Sequence, residues 1–106
     1  MDMHIVVRGV DGPAGLRELA EEKLNRAIER FQERILTATM RLEDVTGPEK
    51  GGVDKVCNVE VRLRTGEVRI KEQGEDFEAT INVAMDRLKT ALGREAGKAK
   101  NGIGGG

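Results

Sequence analysis

From Met3 to Arg8 the chain alternates, with Met3, Ile5 and Val7 on one side and His4, Val6 and Arg8 on the other, a period-2 pattern that predicts a strand. Gly9-Val10-Asp11-Gly12 then predicts a turn, and Pro13 suits the first position of a helix. Leu16, Leu19, Ala20, Leu24, Ala27, Ile28 and Phe31 recur at three- and four-residue spacing, so an amphipathic helix is expected to about Glu33. Between Ile35 and Asp44, Leu36, Ala38, Met40 and Leu42 alternate with Thr37, Thr39, Arg41 and Glu43, which predicts a half-buried strand with the first set inward. Thr46-Gly47-Pro48-Glu49-Lys50-Gly51-Gly52 reads as a flexible loop. Alternation resumes from Lys55 to Arg64 with Cys57, Val59, Val61 and Leu63 inward. Thr65-Gly66 is expected to turn the chain into Glu67–Gln73, setting Leu63 opposite Val68 and Val61 opposite Ile70.

The last periodic segment opens on Glu75, Asp76 and Glu78, acids favoured in a first helical turn, and carries Phe77, Ile81, Ala84, Met85, Leu88 and Leu92 on one stripe. It predicts a second helix to about Glu95. Residues 1–96 then make one domain, and 97–106 is expected to be a flexible glycine-rich tail. The order β-α-β-β-β-α implies an α+β domain, a four-stranded mixed sheet with two parallel helices packed on one face. If the first strand points up, a right-handed crossover brings the second up beside it, the third runs down and the fourth up, so both helices run down. Their C-terminal ends then share one end of the molecule.

A length of 106 residues suits one such core, and 26 of them are Leu, Ile, Val or Phe, enough for a folded domain although 35% are charged. No apolar stretch reaches the roughly 18 residues of a membrane span, and Met1-Asp2-Met3-His4 lacks a signal peptide's basic and apolar regions, so a cytoplasmic protein is expected. The sequence contains no Ser, Trp or Tyr and one each of Cys and His. These absences argue against serine-hydrolase triads, disulfide frameworks and Cys/His zinc sites within one chain. A Cys57–His4 dyad is the nucleophile–base pair left, and the alternation reads Cys57 instead as a small buried residue. No enzyme, cofactor, metal or small-molecule substrate is expected on these grounds. Two phenylalanines as the only aromatics likewise argue against recognition by base stacking, so RNA contact would go to backbone and shape.

The net charge of −1 averages over unlike segments. Residues 11–22 sum to −3 and 23–34 to +2, while 75–86 sum to −4 and 87–100 to +4. Macrodipole complementarity explains the sign of this asymmetry. Bases spread over two or three turns of two neighbouring parallel helices would also make a surface suited to phosphate backbones. The exposed sheet face adds Arg8, Arg41, Arg62, Arg64, Arg69 and Lys71 against Glu43, Glu60 and Glu67, which reads as a solvated face.

Three blocks of sequence resemble the ribosome hibernation-promoting factors and ribosome-associated inhibitors, also called sigma-54 modulation proteins. Ile5-Val6-Val7-Arg8-Gly9-Val10 through Leu16-Arg17-Glu18-Leu19-Ala20-Glu21-Glu22-Lys23-Leu24 is similar to the family's opening strand, Arg-x-Val turn and first helix. The hairpin with Gly66-Glu67-Val68 resembles its third and fourth strands. Glu75-Asp76-Phe77-Glu78-Ala79-Thr80-Ile81-Asn82, followed by Asp86-Arg87-Leu88, resembles its second helix. The resemblance covers about residues 3–95 and implies a non-enzymatic protein that binds the small ribosomal subunit, through rRNA backbone, in the channel used by messenger and transfer RNA. The family's basic helix positions fall on Lys23, Arg26, Arg87 and Arg94, and Arg8 and Arg17 also match basic positions. Arg30 and Lys89 join this set from the charge argument alone. Thr90 departs from the pattern, standing where relatives carry a base. The chain ends where long-form relatives continue into a dimerising domain, so a short-form monomer is expected. A second reading stays open, a protein-interaction module that uses the exposed sheet face or a sheet edge.

Overall fold

The computed structural model describes residues 1–9, 14–45 and 52–105, with side chains through residue 97. The expected turn at Val10–Gly12, the helix-opening Pro13, most of the Thr46–Gly52 loop and Gly106 lie outside the described residues. Four strands, β1 (Asp2–Arg8), β2 (Ile35–Asp44), β3 (Lys55–Leu63) and β4 (Gly66–Gly74), form one mixed sheet in that spatial order. β1 pairs parallel with β2, and the two following pairs are antiparallel. Helix α1 (Leu16–Ile28) crosses from β1 to β2 and continues as a 3-10 segment, Glu29–Arg34. Helix α2 (Phe77–Gly105) follows β4. The fold is therefore α+β, a four-stranded mixed sheet with two helices.

One hydrophobic core holds these elements together. Ala38, Met40, Leu42, Cys57, Val59, Val61, Val68 and Ile70 supply its sheet side, each with the parity of an inward strand position. Leu16, Ala20, Leu24, Ala27 and Ile28 of α1 and Phe77, Ile81, Ala84, Met85, Leu88 and Leu92 of α2 supply its helical side. These are the stripes that three- and four-residue spacing predicts.

Three features depart from the sequence reading. Leu36 is exposed and Ile35 buried, because a bulge opposite Leu63 inserts one residue between Ile35 and Thr37 and reverses the parity of what precedes it. The β3–β4 turn is Arg64-Thr65, one position earlier than Thr65-Gly66, so Leu63 faces Gly66, Val61 faces Val68 and Val59 faces Ile70. The two-residue change in pairing keeps every inward side chain inward. It also sets Arg62 opposite Glu67 and Glu60 opposite Arg69. The expected register would have put Arg62 opposite Arg69, and like charges directly opposite destabilise a ladder. Thirdly, α2 continues to Gly105 instead of ending near Glu95. A glycine costs a helix only about 1 kcal/mol against about 3 for proline, and Ala96, Lys98, Ala99 and Lys100 are strong helix formers.

The ends of the elements are secured locally. Gly15 stands before α1 at φ 81°, a left-handed conformation that suits glycine, and its carbonyl accepts from the Leu19 N–H at 2.9 Å. The Asp76 carboxylate accepts from the Ala79 N–H at 2.9 Å and so caps α2. The Thr80 hydroxyl donates to the Asp76 carbonyl at 2.6 Å, buried against Gly74. At the far end of the β2–β3 ladder, Lys55 Nζ lies 3.0 Å from a carboxylate oxygen of both Asp44 and Asp54, and 5.8 Å from the centroid of the Phe77 ring. The hydrogen bond from the Val45 N–H to the Asp54 carbonyl, 2.8 Å, closes the ladder there.

Gly74 has no room for a side chain, since a Cβ there would collide with the Thr80 hydroxyl. Gly74→Ala is expected to lower stability by about 1–3 kcal/mol, as overpacking does, whereas Gly93→Ala, which meets nothing, should be neutral or stabilising. Chemical denaturation of the two variants checks the contrast.

Candidate nucleic-acid interface

The eight basic residues singled out by sequence occupy three places. Arg8 ends β1 on the sheet face away from the helices and is exposed, opposite Glu43 of β2. Arg17, exposed on the first turn of α1, turns back and donates to the Ile5 carbonyl. β1 is an edge strand, and Arg17 thus ties the first turn of α1 to its backbone.

The second place is the side on which the helices approach each other. Lys23 of α1 reaches Glu78 of α2 at 3.9 Å, so the middle of α1 lies level with the start of α2. Lys89 stands eleven residues, about three turns, after Glu78 and shares its side of α2. Arg30, at the start of the 3-10 segment, lies with its guanidinium carbon 5.9 Å from the centroid of the Phe31 ring. Arg26 pairs with Glu22 one turn earlier at 2.9 Å, and at 73% and 59% side-chain exposure that pair is too solvated to hold Arg26 away from a stronger anion.

The third place is the flank of α2 over β4. Arg87 and Arg94 are seven residues, about two turns, apart and therefore share this side, opposite Lys89. With Ile70, Asp86, Thr90 and Ala91 they line a groove of about 390 Å³. Arg87 donates to the Glu72 carboxylate and, at 3.2 Å, to the Lys71 carbonyl, so it fastens α2 to the edge of the sheet. Arg94 is exposed and makes no such contact. The structure therefore brings Lys23, Arg30 and Lys89 to one side of the helix pair and Arg87 and Arg94 to another. Charge sums along the chain showed which halves of the helices are basic. They carried no information on the side, which follows from the rotation of each helix in the core.

Arg87, Lys23, Arg26 and Arg17 have intramolecular partners, while Arg8, Lys89 and Arg94 present cations without hydrogen-bond or ion-pair partners among the described residues. Arg34, in the basic stretch 23–34 yet outside the selected set, is equally exposed. Its position at the end of the 3-10 segment beside Arg30 was the available signal.

The dyad considered from sequence is absent. Cys57 is fully buried on the inward face, while His4 is exposed on the opposite face of the sheet. Burial, reinforced by the Glu72 carboxylate, pushes the Cys57 thiol up to about 12, the reverse of an activated nucleophile. No group of three or more His, Cys, Asp or Glu side chains able to hold a metal ion occurs among the described residues, and no helix there is long and apolar enough to cross a membrane.

The family pattern described as Sigma 54 modulation protein / S30EA ribosomal protein matches residues 3–100. The chain belongs to that family. Two solved structures share its fold. The ribosomal subunit interface protein of Coxiella burnetii aligns with a TM-score of 0.75 at 24% identity, covering 92% of this chain and all of its own. The N-terminal domain of Protein Y from Thermus thermophilus aligns with a TM-score of 0.70 at 29% identity, covering 89% and 98%. No curated protein sequence matches. The family is ribosome-associated.

Two outcomes test this geometry. Because the Cys57 pKa is raised from 9.0 to about 12 in the folded state, the unfolded chain loses its thiol proton first; stability is intact below 9.0 and falls as pH rises toward 12. Lys55, raised by hydrogen bonds to Asp54 and Asp44, adds to the alkaline loss in the same direction. Cys57→Ala should therefore flatten the decline between pH 9 and 12 by on the order of 1 kcal/mol per unit, read by urea denaturation across pH. Arg87→Gln should lower the thermal midpoint modestly, by the roughly 1 kcal/mol or less of a partly exposed pair, and Arg94→Gln should leave it unchanged.

Proposed function

We propose that this protein binds the small ribosomal subunit in the channel used by messenger and transfer RNA, holding idle ribosomes inactive in the cytoplasm. Membership of a ribosome-associated family over residues 3–100 carries the reading. The basic halves of α1 and α2 supply its physical means. Lys23, Arg26, Arg30, Arg87, Lys89 and Arg94, with Arg17 on α1 and Arg8 on the outer sheet face, meet rRNA phosphates and release the ions condensed there. A guanidinium takes two phosphate oxygens in one plane, so the arginines orient the domain while the lysines add charge. Inhibition then follows from occupancy, with no bond made or broken and no cofactor required.

The intramolecular pairs set the cost of this contact. Lys23 and Arg26 exchange exposed carboxylates for phosphates at little expense. Arg87 gives up Glu72 and a backbone carbonyl and serves structure as well as binding. The acidic first turns of both helices repel RNA and confine the contact to the basic ends.

Sedimentation of the full chain with separated ribosomal subunits over a salt series checks the proposal. Co-sedimentation with the small subunit that weakens steeply with salt is expected. Lys89→Glu with Arg94→Glu should abolish it while leaving thermal unfolding unchanged, since neither side chain holds the fold. Wild-type behaviour of that double variant, or no pelleting at low salt, would exclude the proposed surface.

A further inference from the structure

The sheet face turned away from the helices is open, and the strand register arranges its side chains in rows. One row runs Asp2, Thr37, Arg62, Glu67; the next His4, Thr39, Glu60, Arg69; the next Val6, Arg41, Asn58, Lys71; and the last Arg8, Glu43, Val56, Gln73. In three of them each cation stands beside an acid: Arg62 beside Glu67, Arg69 beside Glu60, Arg8 beside Glu43. Arg69 also hydrogen-bonds Glu67 and lies 3.9 Å from Glu60, so one arginine compensates the acids that β3 and β4 place on this face. The remaining row holds Arg41 and Lys71 with only Asn58 between them. Among the described residues, none of these three side chains has a hydrogen bond or ion pair.

That row borders a shallow depression of about 310 Å³, lined also by Thr39, Glu60 and Arg69. Adjacent strands lie about 4.8 Å apart, so the backbones carrying Arg41 and Lys71 are separated by about 10 Å with the Asn58 amide midway. A guanidinium, an amide and an ammonium thus stand around one concavity, unspent on the protein's own carboxylates. Reading by sequence missed the arrangement because it summed this face as six bases against three acids; the register places all three acids in other rows, two of them paired with Arg69.

We propose that the Arg41–Asn58–Lys71 row is a second RNA contact, taking the phosphodiester backbone of a strand that crosses the open sheet face. The inference rests on the RNA-binding reading above and extends it, since RNA would then grip the domain from both sides of its two layers. Backbone is the occupant favoured over a stacked base because both phenylalanines belong to the helical side of the fold and none lies in the sheet. Arg41 takes phosphate oxygens in pairs, Lys71 adds a point charge, and Asn58 donates to a phosphate or ribose oxygen.

The test compares the full-length wild type with Arg41→Gln/Lys71→Gln. It uses salt-dependent sedimentation with small ribosomal subunits, and fluorescence anisotropy with a 12-nucleotide single-stranded oligo(U) and with an oligoglutamate peptide. The substituted side chains are exposed, so the thermal midpoint should not move. On RNA the variant is expected to bind roughly tenfold more weakly at low salt, with the slope of log affinity against log salt reduced by about 1.4 for two lost single-strand contacts. An unchanged slope and affinity on every RNA that the wild type binds overturns the inference, as does failure of the wild type to bind either RNA. Loss confined to the peptide also overturns it and identifies a protein-binding face. The two proposals separate cleanly: oligo(U) binding that depends on Arg41 and Lys71 without subunit binding sinks only the ribosomal reading, while subunit binding with no RNA sensitive to them sinks only this one.

Discussion

Ala38, Met40, Leu42, Cys57, Val59, Val61, Val68 and Ile70 present a continuous apolar surface across three strands, and the stripes of both helices lie against it. A strand's side chains alternate faces, so burying this set commits the other set to solvent. The same contact sets how each helix is rotated: with Leu24, Ile28, Ile81, Leu88 and Leu92 inward, the charges between them are assigned to particular flanks. Lys89 must share the side of Glu78, and Arg87 must stand with Arg94 over β4. The charged surfaces on the two sides of the molecule are consequences of one buried interface.

Electrostatic pairing refines what burial leaves open. Two registers of the β3–β4 hairpin keep the same residues inward, and burial discriminates weakly between them. The one adopted sets Arg62 against Glu67 and Glu60 against Arg69, and it carries Glu72 to where Arg87 of α2 can reach it. That choice also sets Lys71 beside Asn58 instead of Glu60, and so gathers Arg41 and Lys71 in a row that holds no acid. Cross-strand pairs that each contribute only about 0.2–1 kcal/mol therefore decide where the free positive charge of the sheet resides. Local pairing and long-range binding potential are linked here through register.

The basic groups also divide by what they do for the fold. Arg17 ties α1 to β1, Arg87 fastens α2 to β4, and Lys55 gathers Asp44 and Asp54 under the Phe77 ring. Arg8, Lys89, Arg94, Arg41 and Lys71 hold nothing in place and remain available to an external anion. A nearly neutral chain can thus present basic surfaces, because its acids are concentrated in the first turns of the helices and in pairs. With a Debye length of about 8 Å an anion at contact range feels the nearest surface and little of the rest, so the local surfaces and not the net charge of −1 govern contact.

Much of this was legible in the sequence, because period 2 and period 3.6 are properties of neighbouring residues. The order β-α-β-β-β-α, the inward sets of β1, β3 and β4, both helical stripes and the polarity of charge along each helix all follow from spacing alone. The misplaced features share a cause. The bulge that exposes Leu36, the turn at Arg64-Thr65 and the continuation of α2 to Gly105 are settled by partners or by small differences between competing local states. The position of Arg87 on Glu72 and the row of Arg41, Asn58 and Lys71 lie further still from sequence, since they join residues that only strand pairing and helix docking bring together. One-dimensional pattern determines which face of an element is buried; which charges become neighbours across the exposed faces is decided by the tertiary structure, where energies of about 1 kcal/mol choose among arrangements that bury the same core.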